Sequence, residues 1–116
     1  MSMTKEMVRE KMKDKNVVVL NVLPQDAFRK VHIKGSENLP LANNPDAFVR
    51  MVGRLYDMES FFITHCSNVN CDAGPTAAKV LRENGFEAED YPGGMEDWIA
   101  AGFPVQGTEA AQFALR

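Results

Sequence analysis

Two kinds of segment alternate along this chain, and the alternation predicts an α/β fold with a parallel sheet. The first kind is the short, unbroken apolar run, such as Val17-Val18-Val19-Leu20. It lacks the in-and-out alternation of a half-exposed strand and suits one buried on both faces. The second kind spaces its apolar residues as a helix does, as Phe48, Met51, Val52 and Leu55 show. In such folds ligands sit beyond the carboxyl ends of the strands, so residues at those ends carry the first candidates for chemistry.

Taken in order, Thr4 to Lys13 sets Met7, Val8 and Met12 among charges and reads as a short amphipathic helix. Val17 to Leu20 is the first strand, ending at Asn21-Val22-Leu23-Pro24. Asp26 to Lys30 predicts a helical turn or two, and Ser36 to Leu39 a short strand closed by Pro40. After Asn43-Asn44-Pro45, Asp46 to Leu55 predicts a helix. Phe61 to His65 is the next strand, and Thr76 to Asn84 a helix stopped by Gly85. Glu87 to Tyr91 gives a weaker strand signal before Pro92-Gly93-Gly94, and Met95 to Ala101 predicts a last helix ended by Gly102 and Pro104. The tail, Gly107 to Arg116, is expected to fray.

Composition narrows the function classes. A chain of 116 residues fits one domain. At 45% hydrophobic it can bury a core, and a net charge of −3 leaves no electrostatic footprint for nucleic acid. No segment has the apolar length of a membrane span, and the start Met1-Ser2-Met3-Thr4-Lys5-Glu6 lacks the apolar core of a secretory signal. A cytoplasmic location is the expectation. In that reducing compartment the two cysteines are expected to be free, catalytic or redox-active. With two scattered histidines they make no paired ligand set, so neither a metal nor another cofactor is expected.

The most informative stretch is Phe61-Phe62-Ile63-Thr64-His65-Cys66-Ser67-Asn68-Val69-Asn70-Cys71-Asp72-Ala73-Gly74-Pro75. It sets Cys66 at the carboxyl end of a strand, facing the N-terminus of the following helix. Backbone N–H groups and the helix dipole there favour an anion, hence the thiolate, which is the reactive form of the residue. His65 is adjacent, but neighbouring strand residues point to opposite faces, so it is expected to be structural rather than a base for Cys66. Cys71 is open to three readings: a resolving thiol, a second reactive thiol or a small loop filler. Gly93 and Gly94 predict a tight turn with positive φ, and Trp98 a packing contact with Phe103 beside it. Phe28, Val31 and Val69 could form a patch for a dimer or a partner.

Three stretches together resemble the rhodanese-like domain family of sulfurtransferases. One is Val18 to Val22 followed by His32-Ile33-Lys34-Gly35-Ser36-Glu37-Asn38-Leu39-Pro40; the second is the Cys66 loop with its helix. The third is Tyr91-Pro92-Gly93-Gly94-Met95-Glu96-Asp97-Trp98 with Ala101-Gly102-Phe103-Pro104-Val105. The resemblance implies a single domain over 1–116, with its core at about 17–105. It also implies a mostly parallel sheet of about five strands with helices on both faces. By the same resemblance, Cys66 is the nucleophile that takes a sulfane sulfur from a donor, thiosulfate or a low-molecular-weight persulfide, and passes it to cyanide or a thiol. Ser67, Asn68, Val69, Asn70, Cys71 and Asp72 form the substrate-binding loop, whose amides hold the donor and the persulfide. The implied partners are a small sulfur-containing substrate and, as a further option, a protein sulfur acceptor.

The chain departs from the common pattern at the loop. No basic residue lies between Cys66 and Lys79, where many relatives carry an arginine, and Asn21 stands where an aspartate is usual. A second cysteine in the loop is similar to one subgroup of the family. Asp72 would oppose a doubly charged donor. A second function therefore stays open: a catalytically silent module that binds a partner or senses redox state through Cys66 and Cys71. A phosphatase or arsenate-reductase reading fails on the arginine such enzymes need to clamp oxyanions.

Overall fold

The computed structural model describes residues 3–114; Met1, Ser2, Leu115 and Arg116 lie outside the described residues. Four of the chain's runs pair edge to edge as parallel strands in the order β3-β1-β4-β5. These are β1 (Val17–Asn21), β3 (Glu37–Asn38), β4 (Phe61–His65) and β5 (Glu87–Asp90). The register runs Val17 opposite Phe61 through Asn21 opposite His65, and Phe61 opposite Glu87 through Thr64 opposite Asp90. Asn21, Asn38, His65 and Asp90 therefore end on one rim.

Helices cover both faces of the sheet. Successive strand residues alternate sides, and the two core clusters follow that alternation. Leu20 and Phe62 pack with Phe48 and Val52 of α3 (Pro45–Leu55) and with Ala77 and Leu81 of α4 (Ala73–Glu83). Val19 and Ile63 turn the other way, toward Val8 of α1 (Lys5–Lys11) and Met95 and Trp98 of α5 (Gly94–Ala100). Phe62, Ile63, Leu20, Val52 and Leu81 are wholly buried, each worth about 1.5–3 kcal/mol on transfer from water. Side-chain caps fix the starts of α1 and α3. Thr4 Oγ1 accepts from Met7 N at 3.1 Å and Asn44 Oδ1 from Ala47 N at 3.0 Å.

The expected architecture is present as a four-stranded parallel sheet with a separate two-stranded antiparallel ribbon. That ribbon pairs β2 (His32–Ile33) with β6 (Val105–Gln106). Its strands follow α2 (Gln25–Lys30) and the α5 turn, where Trp98 Nε1 donates to Pro104 O at 2.8 Å and stacks edge-on against Phe103 at 5.1 Å. The tail begins tied down rather than loose. Thr108 N and Glu109 N donate to Arg29 O and Lys30 O at 2.9 and 2.8 Å, ahead of a short α6 (Ala110–Ala114).

α4 starts three residues earlier than the sequence pattern indicates. Gly74-Pro75, which reads as a boundary, lies inside its first turn. Proline is tolerated there because the N–H it lacks would have no intrahelical acceptor.

Candidate active site

Cys66 follows the last residue of β4 and belongs to the α3–α4 face of the sheet, the face of Phe62 and Thr64. It is 3% exposed. Its Sγ receives the N–H of Gly74 at 3.3 Å, a donor from the first turn of α4. The helix start predicted beside the thiol is thus in contact with it, and a backbone donor to sulfur stabilises thiolate over thiol.

Cys66 and Cys71 are joined as a disulfide, with their Cα atoms 6.3 Å apart. The loop between them is knit by its own oxygens. Asn68 Oδ1 accepts from Asn70 N at 2.9 Å, and Asn68 O accepts from Cys71 N at 3.1 Å. Two of the amides expected to face a donor are therefore turned inward to Asn68. Val69, at the tip, is 75% exposed. Asp72 is exposed at the head of α4 and makes no side-chain cap bond.

α5 clamps the loop from the other side. Met95 N donates to Cys66 O at 3.0 Å and Glu96 N to Ser67 O at 2.9 Å. Gly94 makes that approach feasible. It sits at φ +61°, and a Cβ there would run into Cys66 O and the Ser67 peptide. Asp97 of α5 accepts from the Tyr91 hydroxyl at 2.6 Å and from Lys5 Nζ at 3.5 Å. Burial first, then this bond, pushes the Tyr91 hydroxyl well above its usual pKa. A shallow groove of about 280 Å³ runs along the outside of the loop, between Asn68 and Val69 and the Gly93, Glu96, Asp97 and Ala100 side of α5.

His65 is fully buried on the opposite face, with its ring 6.4 Å from that of Tyr91. Its Nδ1 lies 3.3 Å from Cys66 O, which can only accept, so the ring proton is held there. Burial lowers its pKa from 6.5 to about 4, against the opposing pull of that bond, so the ring is neutral near pH 7. It braces the Cys66 carbonyl. Asn21, also buried, accepts from Leu23 N at 2.9 Å through Oδ1 and so shapes the turn after β1.

Sequence reasoning missed two residues at the site. Thr64 Oγ1 reaches both Gly74 O at 2.9 Å and Asp90 Oδ1 at 3.1 Å, tying β4, α4 and β5 together behind Cys66. Only the strand register, which sets Thr64 opposite Asp90, brings them near. The Phe28 and Val31 part of the expected patch is engaged elsewhere. Phe28 stacks on His32 at 3.8 Å, and Val31 packs against the α1–α5 core. A larger hollow of about 550 Å³ lies at the β3 edge, where the Tyr56 hydroxyl donates to Glu37 at 2.7 Å; Cys66 does not line it. No described helix is long and apolar enough to cross a membrane.

The same fold recurs in known proteins. The chain is 32% identical over 98 residues to the thiosulfate:glutathione sulfurtransferase of Saccharomyces cerevisiae, covering 77% of this chain and 69% of that one. It is 28% identical over 89 residues to the HTH-type transcriptional regulator Rv0324 of Mycobacterium tuberculosis, again over 77% of this chain but only 37% of the regulator's length. Among solved structures, BH2092 from Bacillus halodurans superposes with a TM-score of 0.82 at 24% identity, covering 96% of this chain and 80% of that one. The rhodanese-like domain of Anabaena Alr3790 gives 0.77 at 18% identity, over 93% and 80%. The rhodanese-like domain family matches residues 4–101, which hold the whole four-stranded sheet and α1 to α5, and the chain belongs to that family.

Proposed function

We propose that the protein is a sulfurtransferase that carries sulfane sulfur as a persulfide on Cys66. The observation that carries this reading is the Gly74 N–H donated to Cys66 Sγ at 3.3 Å, at the carboxyl end of a central strand. The sulfurtransferase activity in the yeast relative's name supports it.

Chemistry begins from the reduced pair, since in the disulfide neither sulfur is a nucleophile; a thiol reductant such as glutathione, used twice, opens the bond. The Cys66 thiolate then attacks the outer sulfur of the donor. The new S–S bond forms as the donor's own S–S bond breaks, and its electron pair leaves as sulfite from thiosulfate or as a thiolate from an alkyl persulfide. Attack of an acceptor thiolate on the terminal sulfur returns Cys66 as thiolate and releases the acceptor persulfide. With no cation in the loop and Asp72 beside it, a persulfide donor, whose carboxylates lie remote from the transferred sulfur, is favoured over thiosulfate, whose sulfonate oxygens adjoin it, and a thiol is the acceptor. Steady-state transfer from glutathione persulfide to a thiol tests this. Cys66→Ser should lower turnover by on the order of 10³-fold or more, whereas retained turnover would move the nucleophile elsewhere.

The Cys66–Cys71 disulfide favours a second reading, a redox-sensing module of the same family. In that reading the reversible oxidation of the pair is the function, and sulfur gain is not observed.

A further inference from the structure

We propose that Thr64 and Asp90 are positioning residues for the Cys66 thiolate, and that the Asp90 carboxyl sets the Gly74 N–H···S contact through the Thr64 hydroxyl. The inference rests on Cys66 being the reactive thiol.

Thr64 is fully buried and owns a single hydroxyl proton, yet it faces two acceptors, Gly74 O at 2.9 Å and Asp90 Oδ1 at 3.1 Å. When Asp90 is protonated, its O–H can donate to Thr64 Oγ1, and Thr64 then gives its own proton wholly to Gly74 O. When Asp90 is ionised, the two acceptors compete and the charged one takes the larger share. Gly74 is the residue whose N–H reaches Cys66 Sγ. The carboxylate also lies against Gly74 itself, where a Cβ would meet Asp90 Oδ1. An ionised Asp90 therefore acts against a thiolate twice, by loosening the Gly74 turn and by adding negative charge behind it.

Asp90 can switch in an accessible range. Burial raises its pKa from 3.8 to about 6, opposed by the Thr64 bond and by Arg82. Arg82 is the charged group of α4 that acts on it, and its guanidinium donates to Ala88 O at 2.9 Å. From β4, Thr64 is the group on this face, since His65 lies on the other. Glu87 and Glu89, on the strand of Asp90 itself, are exposed on the opposite side, and Asp72 is exposed at the head of α4. Among the described residues, Thr64 and Arg82 are thus the groups that act on Asp90.

Iodoacetamide alkylation of reduced, full-length protein carrying Cys71→Ser reads the Cys66 thiol alone, whether or not it carries sulfur. A failure of this inference is therefore distinct from a failure of sulfur transfer. In the parent, the rate–pH profile should show an inflexion near pH 6 in addition to the thiol's own titration. Asp90→Asn should remove that inflexion and lower the thiol pKa. Thr64→Val should slow alkylation severalfold at pH 5, where Asp90 is protonated and the hydroxyl serves Gly74 O, and Thr64→Ser should restore it to within about twofold, because serine keeps the hydroxyl. An inflexion that survives Asp90→Asn would overturn the proposal. So would a Thr64→Ser protein as slow as Thr64→Val, which would mean packing rather than the hydroxyl matters. If Thr64→Val does not fold, the Asp90→Asn and Thr64→Ser profiles decide alone.

Discussion

Cys66 is held by groups that differ in how visible they are along the chain. The strand-end cysteine and the glycine that follows it eight residues later are local features, and the pattern of residues 61 to 75 brings both to notice. His65 is equally legible, because alternation along a strand assigns it to the far face without any knowledge of the fold. Thr64 and Asp90 are not. They are 26 residues apart, and only the β4–β5 register pairs them. Reduced Cys66 should titrate below the free-thiol value of about 8.5, drawn down by Gly74 N–H. An alkylation profile with its midpoint at or above that value would contradict the contact. Asp72→Arg should raise thiosulfate turnover roughly tenfold at low salt, the low end of steering effects, and lose most of that gain at high ionic strength. An unchanged rate would show that loop geometry, not charge, sets donor preference.

The elements position the loop through backbone rather than side chains. α5 binds it by two N–H donors, Met95 to Cys66 O and Glu96 to Ser67 O, and that approach requires the bare Cα of Gly94. Gly102 offers an internal control. It too has positive φ, +72°, but no atom stands within 4 Å of where its Cβ would be. Gly102→Ala should destabilise the protein by about 1 kcal/mol, the strain of a left-handed alanine. Gly94→Ala should lose at least twice that, because the new methyl meets Cys66 O as well. Urea unfolding midpoints measure both, and equal losses would mean that α5 does not press on the loop. Elements built on a strong periodic pattern, such as α3, are plain in the sequence. β2 and β6 are not, since each is two residues long and exists only through pairing His32 with Gln106 and Ile33 with Val105 across the chain. The front of α4 is hidden for a different reason: a proline near the start of a helix looks, in sequence, like the end of a loop.

For the molecule as a whole, two titratable groups, the buried His65 and the half-buried Asp90, act in opposite directions. His65 has its pKa lowered to about 4 in the folded state, so its contribution is fully present above 6.5 and is lost as pH falls through 4. Asp90 has its pKa raised to about 6, so its contribution is present below 3.8 and is lost as pH rises through 6. Between pH 4 and 6 the two oppose each other. Asp90→Asn should therefore expose the acid-side loss of stability due to His65, as a steeper fall in unfolding free energy below pH 6. The ring resonances of His65 should stay constant from pH 8 to about 5, and a midpoint near 6.5 would mean the ring is open to water. The broad architecture is readable because a parallel sheet covered on both sides leaves its mark in apolar runs and helical spacing. The site's redox partner is readable only as a choice, since a second thiol five residues away can bridge, relay or merely fill.

The most direct test is intact mass spectrometry of the fully reduced protein after exposure to glutathione persulfide, with Cys66→Ser and Cys71→Ser alongside. A gain of one sulfur atom is expected, removed by cyanide, present in the Cys71→Ser protein and absent from the Cys66→Ser protein. Loss of two hydrogens with no sulfur gained, or an adduct that survives Cys66→Ser, would contradict a sulfur carrier at Cys66.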